Sequence, residues 1–346
     1  MTTIARLLRD RSGDPGPGLR FDDQTRTWAE VVQACADRAT ILLERRRDGP
    51  FHVGVLLDNI PEFPLWLGAA SLAGAVVVGI NPTRRGAELA RDITHTACQM
   101  VVTEKAHLPL LQGAATGLGD DRILVVDEPG GRALLQAHCG SELPATEVSE
   151  SDLFLLLFTS GTSGAPKACR CSHGRLAGIG VKVAEMFQLG GQDVCYLAMP
   201  MFHSNSLMAG WAPALSAGAT VALRRRFSAS GFLADVRRFG VTYFNYVGRP
   251  LSYILATPPR PDDSENPLRL VFGNEAAEAD IRRFAERFGC AVVDNYGSTE
   301  GGATVLRTPG TPPGALGTAP EGTVVLDPET AEECPRARFD EQGRLL

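Results

Sequence analysis

Leu153-Phe154-Leu155-Leu156-Leu157-Phe158 is a run of six apolar side chains with no alternation. A strand with one wet face would alternate. This run therefore predicts a strand covered on both faces, as in a parallel sheet flanked by helices. The chemistry then changes within one residue. Thr159, Ser160, Thr162 and Ser163 place four hydroxyls in five positions, Gly161 and Gly164 let the backbone turn, Pro166 stiffens the exit, and Lys167 sets one cation at the end. Helix-compatible sequence, His173 to Gln188, lies downstream. A buried strand opening into a hydroxyl- and glycine-rich loop closed by a lysine is suited to cradle a phosphate: N–H groups and hydroxyls donate, and the ammonium neutralises. It is not a Walker A loop, which ends in Gly-Lys-Ser/Thr, because Lys167 follows Pro166 and precedes Ala168. The competing reading is a plain Gly/Ser turn between a strand and a helix.

The rest of the chain supplies the sheet that such a loop needs. Leu65 to Ile80 is nearly all apolar but only 16 residues long, short of a spanning helix. Gly74 divides it into a buried helix and a buried β-branched strand. Phe51 to Leu57, Met100 to Thr103 and Ile123 to Val126 read as further strands. Phe232, Leu233, Val236 and Phe239 share a helical face, Gly240 ends that helix, and Val241 to Val247 is a strand. Ile281, Phe284, Ala285 and Phe288, then Gly289 and Cys290 to Val293, repeat the pattern. Helix–glycine–strand units in series build a parallel α/β sheet that gathers ligands at the carboxyl ends of its strands. From Thr308 onward Pro and Gly dominate, and Thr323 to Leu326 starts a small β unit.

Composition narrows the class. At 346 residues the chain is long enough to bury about three quarters of its unfolded surface. With 44% hydrophobic and 21% charged residues it does not read as disordered, and a net charge of −6 implies no general nucleic-acid surface. Arg224-Arg225-Arg226 reads as a solvated strand end. Only Lys105, Lys167 and Lys182 are lysines among 34 basic residues, so a lysine in the loop is not background. The eight cysteines form no CxxC pair, and several sit in apolar runs, which suits reduced thiols in a cytoplasmic protein. There is no signal-peptide pattern. Peripheral membrane contact and a homodimer are both compatible with this composition.

Three further segments follow strands: Met199-Pro200-Met201-Phe202-His203-Ser204-Asn205-Ser206, Phe272-Gly273-Asn274-Glu275-Ala276 and Asn295-Tyr296-Gly297-Ser298-Thr299-Glu300-Gly301-Gly302. His203 is either a satisfied core residue or faces a ligand. Leu207, Trp211 and Leu215 fall on one helical face, either as plain core or as the lining of a pocket.

Thr159 to Lys167 resembles the phosphate-loop signature of the adenylate-forming superfamily: acyl-CoA synthetases, luciferases and the adenylation domains of peptide synthetases. Ser163 stands where a second threonine is commoner and keeps the hydroxyl; Ala168 stands where a glycine is usual. Asn295 to Gly302 resembles the superfamily's Tyr-Gly-x-Thr-Glu motif, and Met199 to Ser206 the motif preceding its acyl-pocket helix. Gly273-Asn274 resembles the branch of fatty-acid transport proteins and very-long-chain acyl-CoA synthetases. The resemblance is to fatty-acyl-CoA synthetases of mycobacterial and other actinobacterial type.

The resemblance implies an α/β fold, the large N-terminal domain of acyl-CoA synthetases. Stacked α/β subdomains (αβαβα) would occupy residues 1–310, with the start of a small β-barrel subdomain over 311–346. The C-terminal lid domain, with its catalytic lysine, is expected to lie outside the 346 residues, so the chain alone should bind ATP and acid but turn over poorly. ATP would be held by Thr159, Ser160, Gly161, Thr162, Ser163, Gly164 and Lys167, with Gly273, Asn274 and Glu275 along adenine and ribose. Tyr296 would offer a face to adenine, Thr299 a bond to a phosphate oxygen, and Glu300 an oxygen ligand to Mg²⁺, with Asn295 and Ser298 beside them. The acyl group would meet His203, Ser204, Asn205, Trp211 and Gly297. Lys167, Thr299 and Glu300 are the expected catalytic residues. The expected substrates are a fatty or sterol-derived acid, ATP and coenzyme A; a carrier protein as acceptor, and a silent nucleotide- or acyl-binding module, are the alternatives.

Overall fold

Strands form along the apolar runs, such as 153–158, and most of the strands are buried. The structure is a computed structural model that describes residues 2–159, 167–301, 304–307, 311, 315–336, 338 and 340–342. The chain falls into two units, Met1–Asp294 and Asn295–Leu346. Residue 310, the expected subdomain boundary, lies outside the described residues.

The strands of the first unit are β1 (Pro17–Phe21), β2 (Gln24–Thr27), β3 (His52–Leu56), β4 (Val76–Gly79), β5 (Cys98–Thr103), β6 (Ile123–Val125), β7 (Leu153–Thr159), β8 (Lys167–Ser172), β9 (Val194–Leu197), β10 (Thr220–Leu223), β11 (Tyr243–Val247) and β12 (Leu270–Asn274). One sheet has the order β6-β5-β3-β4-β7-β8, parallel throughout except for the antiparallel pair β7–β8. A second runs β12-β11-β9-β10-β1-β2, parallel except for the hairpin β1–β2. β13 (Ala291–Gly297) begins in the first unit, where Ala291 N donates to the Arg269 carbonyl.

The apolar run 65–80 resolves as read. Helix Glu62–Ala73 is buried from Phe63 to Ala73, and Gly74 caps it at φ 67°, a left-handed turn that suits glycine. All four residues of β4 are buried. Helices Phe232–Phe239 and Glu278–Phe288 end at Gly240 and Gly289, also left-handed. Their inner faces meet β11 in an aromatic core, with Phe232 at 5.1 Å from Phe244 and 5.8 Å from Phe288 between ring centroids.

Three expectations need correction, and one pairing, that of β1, carried no expectation. The loop after β7 leads into strand β8, which returns antiparallel with Lys167 opposite Thr159; helix His173–Met186 begins only after it. The hairpin β1–β2 joins the second sheet through parallel pairing of Leu19 with Val221. β12 and β13 run past their expected ends, so Gly273, Asn274 and Asn295 to Gly297 are strand residues. Leu207 and Trp211 lie in a π-helix, Ser206–Trp211, rather than in a regular α-helical stripe.

In the second unit, the last residues of β13 pair antiparallel with β14 (Thr304–Leu306): Asn295 with Leu306, Tyr296 with Val305, Gly297 with Thr304. Antiparallel bridges join Leu306 to Thr318 and Leu326 to Glu333, so the segment has β character. Among the described residues no helix is long and apolar enough to cross a membrane.

Candidate functional site

The β7–β8 hairpin carries the first group of candidates. Phe154 to Leu157 anchor β7 in the core, while Thr159 is half-buried and Lys167 is exposed at the start of β8. Ser160, Gly161, Thr162, Ser163 and Gly164 lie outside the described residues.

A second group gathers at the carboxyl ends of β9, β11 and β12. Asn205 Nδ2 donates to the Tyr246 carbonyl at 2.8 Å and to Asn274 Oδ1 at 3.3 Å. Asn245 Nδ2, inside β11, donates to Asn205 Oδ1 at 2.8 Å. Glu275 follows Asn274 in the left-handed region at φ 72°, which non-glycine residues rarely occupy. Gly273 is required by close packing: a Cβ there would lie 2.2 Å from the Tyr246 carbonyl. His203 is exposed, so the reading as an ordinary core histidine does not hold. Atoms packed around part of its ring push the imidazole below its ordinary range, and the charge of Glu275 opposes that shift. Ser204 is half-buried, whereas Trp211 is buried within the π-helix.

The third group lies in the second unit. Tyr296, Gly297, Ser298 and Glu300 are exposed, Asn295 and Thr299 are half-buried, and Gly301 N donates to the Ser298 carbonyl at 3.1 Å. The first unit ends on Asp294, a buried carboxylate missed by the sequence reading. It accepts from Tyr246 Oη at 2.5 Å and from Ala276 N at 3.1 Å. Asn245 and Tyr246 were missed as well, because nothing in the strand Tyr243–Val247 marks a polar side chain as a partner of Asn205.

Two contacts fix the second group against the first sheet. Asn59 is buried after β3; its Nδ2 donates to the Met199 carbonyl at 2.8 Å, and its Oδ1 accepts from Met201 N at 2.9 Å. The Arg224–Arg226 cluster is not simply solvated. Arg225 Nη1 lies 2.7 Å from Glu104 Oε2 and 3.3 Å from Asp58 Oδ2, and Arg226 Nη2 lies 3.1 Å from Asp58 Oδ2. Burial pushes the Asp58 carboxyl up, but hydrogen bonds from Arg226 and His107 outweigh it and hold it below the usual carboxylate range. Asp58, Glu104 and His107 bring metal-ligand atom types within 4.8 Å of one another, and Arg225 already supplies positive charge there. Replacing Arg225 with leucine leaves buried Glu104 without that charge. Because Arg225 is itself half exposed, the expected loss is about 2 kcal/mol rather than the larger cost of a fully buried pair. Urea unfolding of the two proteins at pH 7 measures it; equal midpoints would show that solvent already screens the pair.

A family model of AMP-binding enzymes matches residues 15–346. The chain is 53% identical over 348 residues to the steroid-22-oyl-CoA synthetase of Rhodococcus jostii (strain RHA1), covering 100% of this chain and 62% of that protein. It is 49% identical over 334 residues to the medium/long-chain-fatty-acid–CoA ligase FadD17 of Mycobacterium marinum, covering 96% of this chain and 65% of that ligase. In fold it is similar to the apo structure of Mycobacterium smegmatis MbtA, with a TM-score of 0.84 at 24% identity, over 97% of this chain and 65% of that one. The fold is thus the α/β fold of adenylate-forming enzymes. The chain belongs to the AMP-binding enzyme family, and it spans just under two thirds of the length of these relatives.

Proposed function

We propose that this chain is the ATP- and acid-binding part of an AMP-forming acyl-CoA ligase that activates a medium- or long-chain fatty acid or a steroid-derived carboxylic acid. The observation that carries this is 53% identity, over the whole chain, to a steroid-22-oyl-CoA synthetase. In the proposed first half-reaction a carboxylate oxygen attacks the α-phosphate of ATP. The bond to the β,γ-phosphates breaks, giving acyl-AMP and pyrophosphate. In the second, the thiol of coenzyme A displaces AMP. The acid arrives as an anion, so the first step needs no general base, and the protein's part is positioning and charge stabilisation.

In this reading Thr159, Lys167 and the loop between them hold the departing phosphates. Gly273 to Glu275 and Asn295 to Thr299 hold the nucleotide. His203, Ser204, Asn205, Trp211 and Gly297 line the acid. Glu300, an exposed carboxylate, suits Mg²⁺, which takes one or two carboxylates and keeps several waters; when bound, the ion would neutralise phosphate charge. The eight free cysteines fit a reducing cytoplasm.

The test is carboxylate-dependent ATP–pyrophosphate exchange with acids from short to very long chain and a steroid side-chain acid. Exchange confined to one class supports the proposal and names the substrate. Failure to bind ATP or any acid overturns it. Glu300→Gln is expected to raise the Mg²⁺ concentration needed for half-maximal exchange by about tenfold, the loss of one charged ligand, without a change in thermal midpoint. An unchanged Mg²⁺ dependence would remove Glu300 from the metal site.

A further inference from the structure

We propose that Asn274 offers an amide N–H to an anionic oxygen of the ligand, and that Asn205 and Asn245 are positioning residues that hold it in that orientation; this rests on the reading that the chain binds a carboxylic acid and a nucleotide. The orientation follows from one fixed point. An amide's oxygen and nitrogen are nearly alike in shape, but the Tyr246 carbonyl can only accept. The Asn205 atom 2.8 Å from it must therefore be nitrogen. That choice propagates in both directions. Asn205 Oδ1 faces Asn245, which must present its nitrogen, at 2.8 Å. Asn205 Nδ2 also faces Asn274, which must present its oxygen, at 3.3 Å. The Asn274 nitrogen is then the atom left for other partners. Its contact among the described residues is Glu275 Oε1 at 3.5 Å, the outer limit of a hydrogen bond, and an amide nitrogen carries two hydrogens.

The far end of the relay has no compensation of its own. Asn245 is fully buried, and its Oδ1 has no hydrogen-bond partner among the described residues. Turning its amide over would set oxygen against the Asn205 oxygen. A core shaped for stability alone would fill this position with an apolar side chain. What the relay does secure is the donor at the carboxyl end of β12, where ligands of open α/β sheets gather. A fixed amide donor there complements a carboxylate or phosphate oxygen, and hydrogen bonds to charged acceptors are the stronger kind.

Two matched pairs test this on the 346-residue chain: laurate against dodecanol, and AMP against adenosine. Each pair shares a body and differs in the anion. Wild type is expected to prefer the anionic member of at least one pair. Asn274→Ala and Asn205→Ala should each cut that preference, the ratio of anionic to uncharged affinity, about tenfold. Asn205→Asp, which keeps the acceptor for Asn245 but has no donor, should behave like the alanine variant. A purely structural role would weaken both members equally. The pair affected identifies the oxygen as carboxylate or phosphate. Preferences retained in the variants would overturn the relay and leave the proposed function standing; no binding of either pair by wild type would overturn both. Asn274, half-buried at a strand end, keeps the test open should the Asn205 variants fail to fold.

Discussion

Lys167→Ala is expected to lower carboxylate-dependent ATP–pyrophosphate exchange by about 10²–10³-fold, the cost of removing one preorganised group from developing negative charge. Lysine is scarce here: the chain has three, and one closes the hydroxyl-rich loop. The structure then gives that lysine an anchored base. β8 is held along β7 from Ser172 to Lys167, and the strand under it is buried from Phe154 to Leu157. Lys167 itself is exposed, so its removal leaves no buried group unpaired, and the fold should change in stability by no more than about 0.5 kcal/mol. The variant's thermal midpoint should match wild type while exchange collapses. Lys167→Arg should recover part of the rate, because it keeps the charge but replaces a compact ammonium with a wider fork. Full exchange in the alanine variant would remove Lys167 from the reaction and return the loop to a plain turn.

What the sequence reveals about this fold divides by range. Gly74, Gly240 and Gly289 were legible as helix ends because the need for positive φ and the apolar spacing before each are local. β7 was legible because six apolar residues without alternation admit few alternatives. β8 was not: Lys-Ala-Cys-Arg-Cys-Ser has no large apolar side chain, and only pairing with β7 makes it a strand. The same holds for β13 beyond Val293, where polar residues continue the strand because β14 lies beside them. β1 pairs with β10 about two hundred residues away, and no local pattern encodes that partner. For the site, the residue types at the strand ends were readable, but their connections were not. Arg225 looks solvated until Glu104 and Asp58, from the ends of other strands, arrive beside it. Asn245 looks like a polar interruption of β11 until Asn205 accepts from it.

His173 should make the fold acid-sensitive, with about 3 kcal/mol of stability lost between pH 6.5 and pH 4. The residue opens the helix after β8, is fully buried, and packs its ring 4.5 Å from that of Phe154. Neither ring nitrogen has a hydrogen-bond partner among the described residues. Burial pushes the imidazole down to about 4, and the charge of Asp152 offsets only part of that. The sign follows from which state takes the proton. Above pH 6.5 the ring is neutral in both folded and unfolded chains, so stability does not depend on it. Below 6.5 the unfolded chain binds a proton that the folded chain refuses, and stability falls by about 1.4 kcal/mol per pH unit until the folded ring also titrates near pH 4. His173→Leu fills the same space without the proton or the two unpartnered nitrogens. Urea unfolding of both proteins at steps from pH 7.5 to 4.5 isolates the effect, since titrating groups that do not interact with His173 cancel in the difference, and Asp152, which does, titrates mostly below this range. The variant should match or exceed wild type at pH 7.5 and gain on it steadily below 6.5. Parallel pH profiles would mean that the ring is protonated or partnered in the folded state, and that the acid sensitivity lies elsewhere.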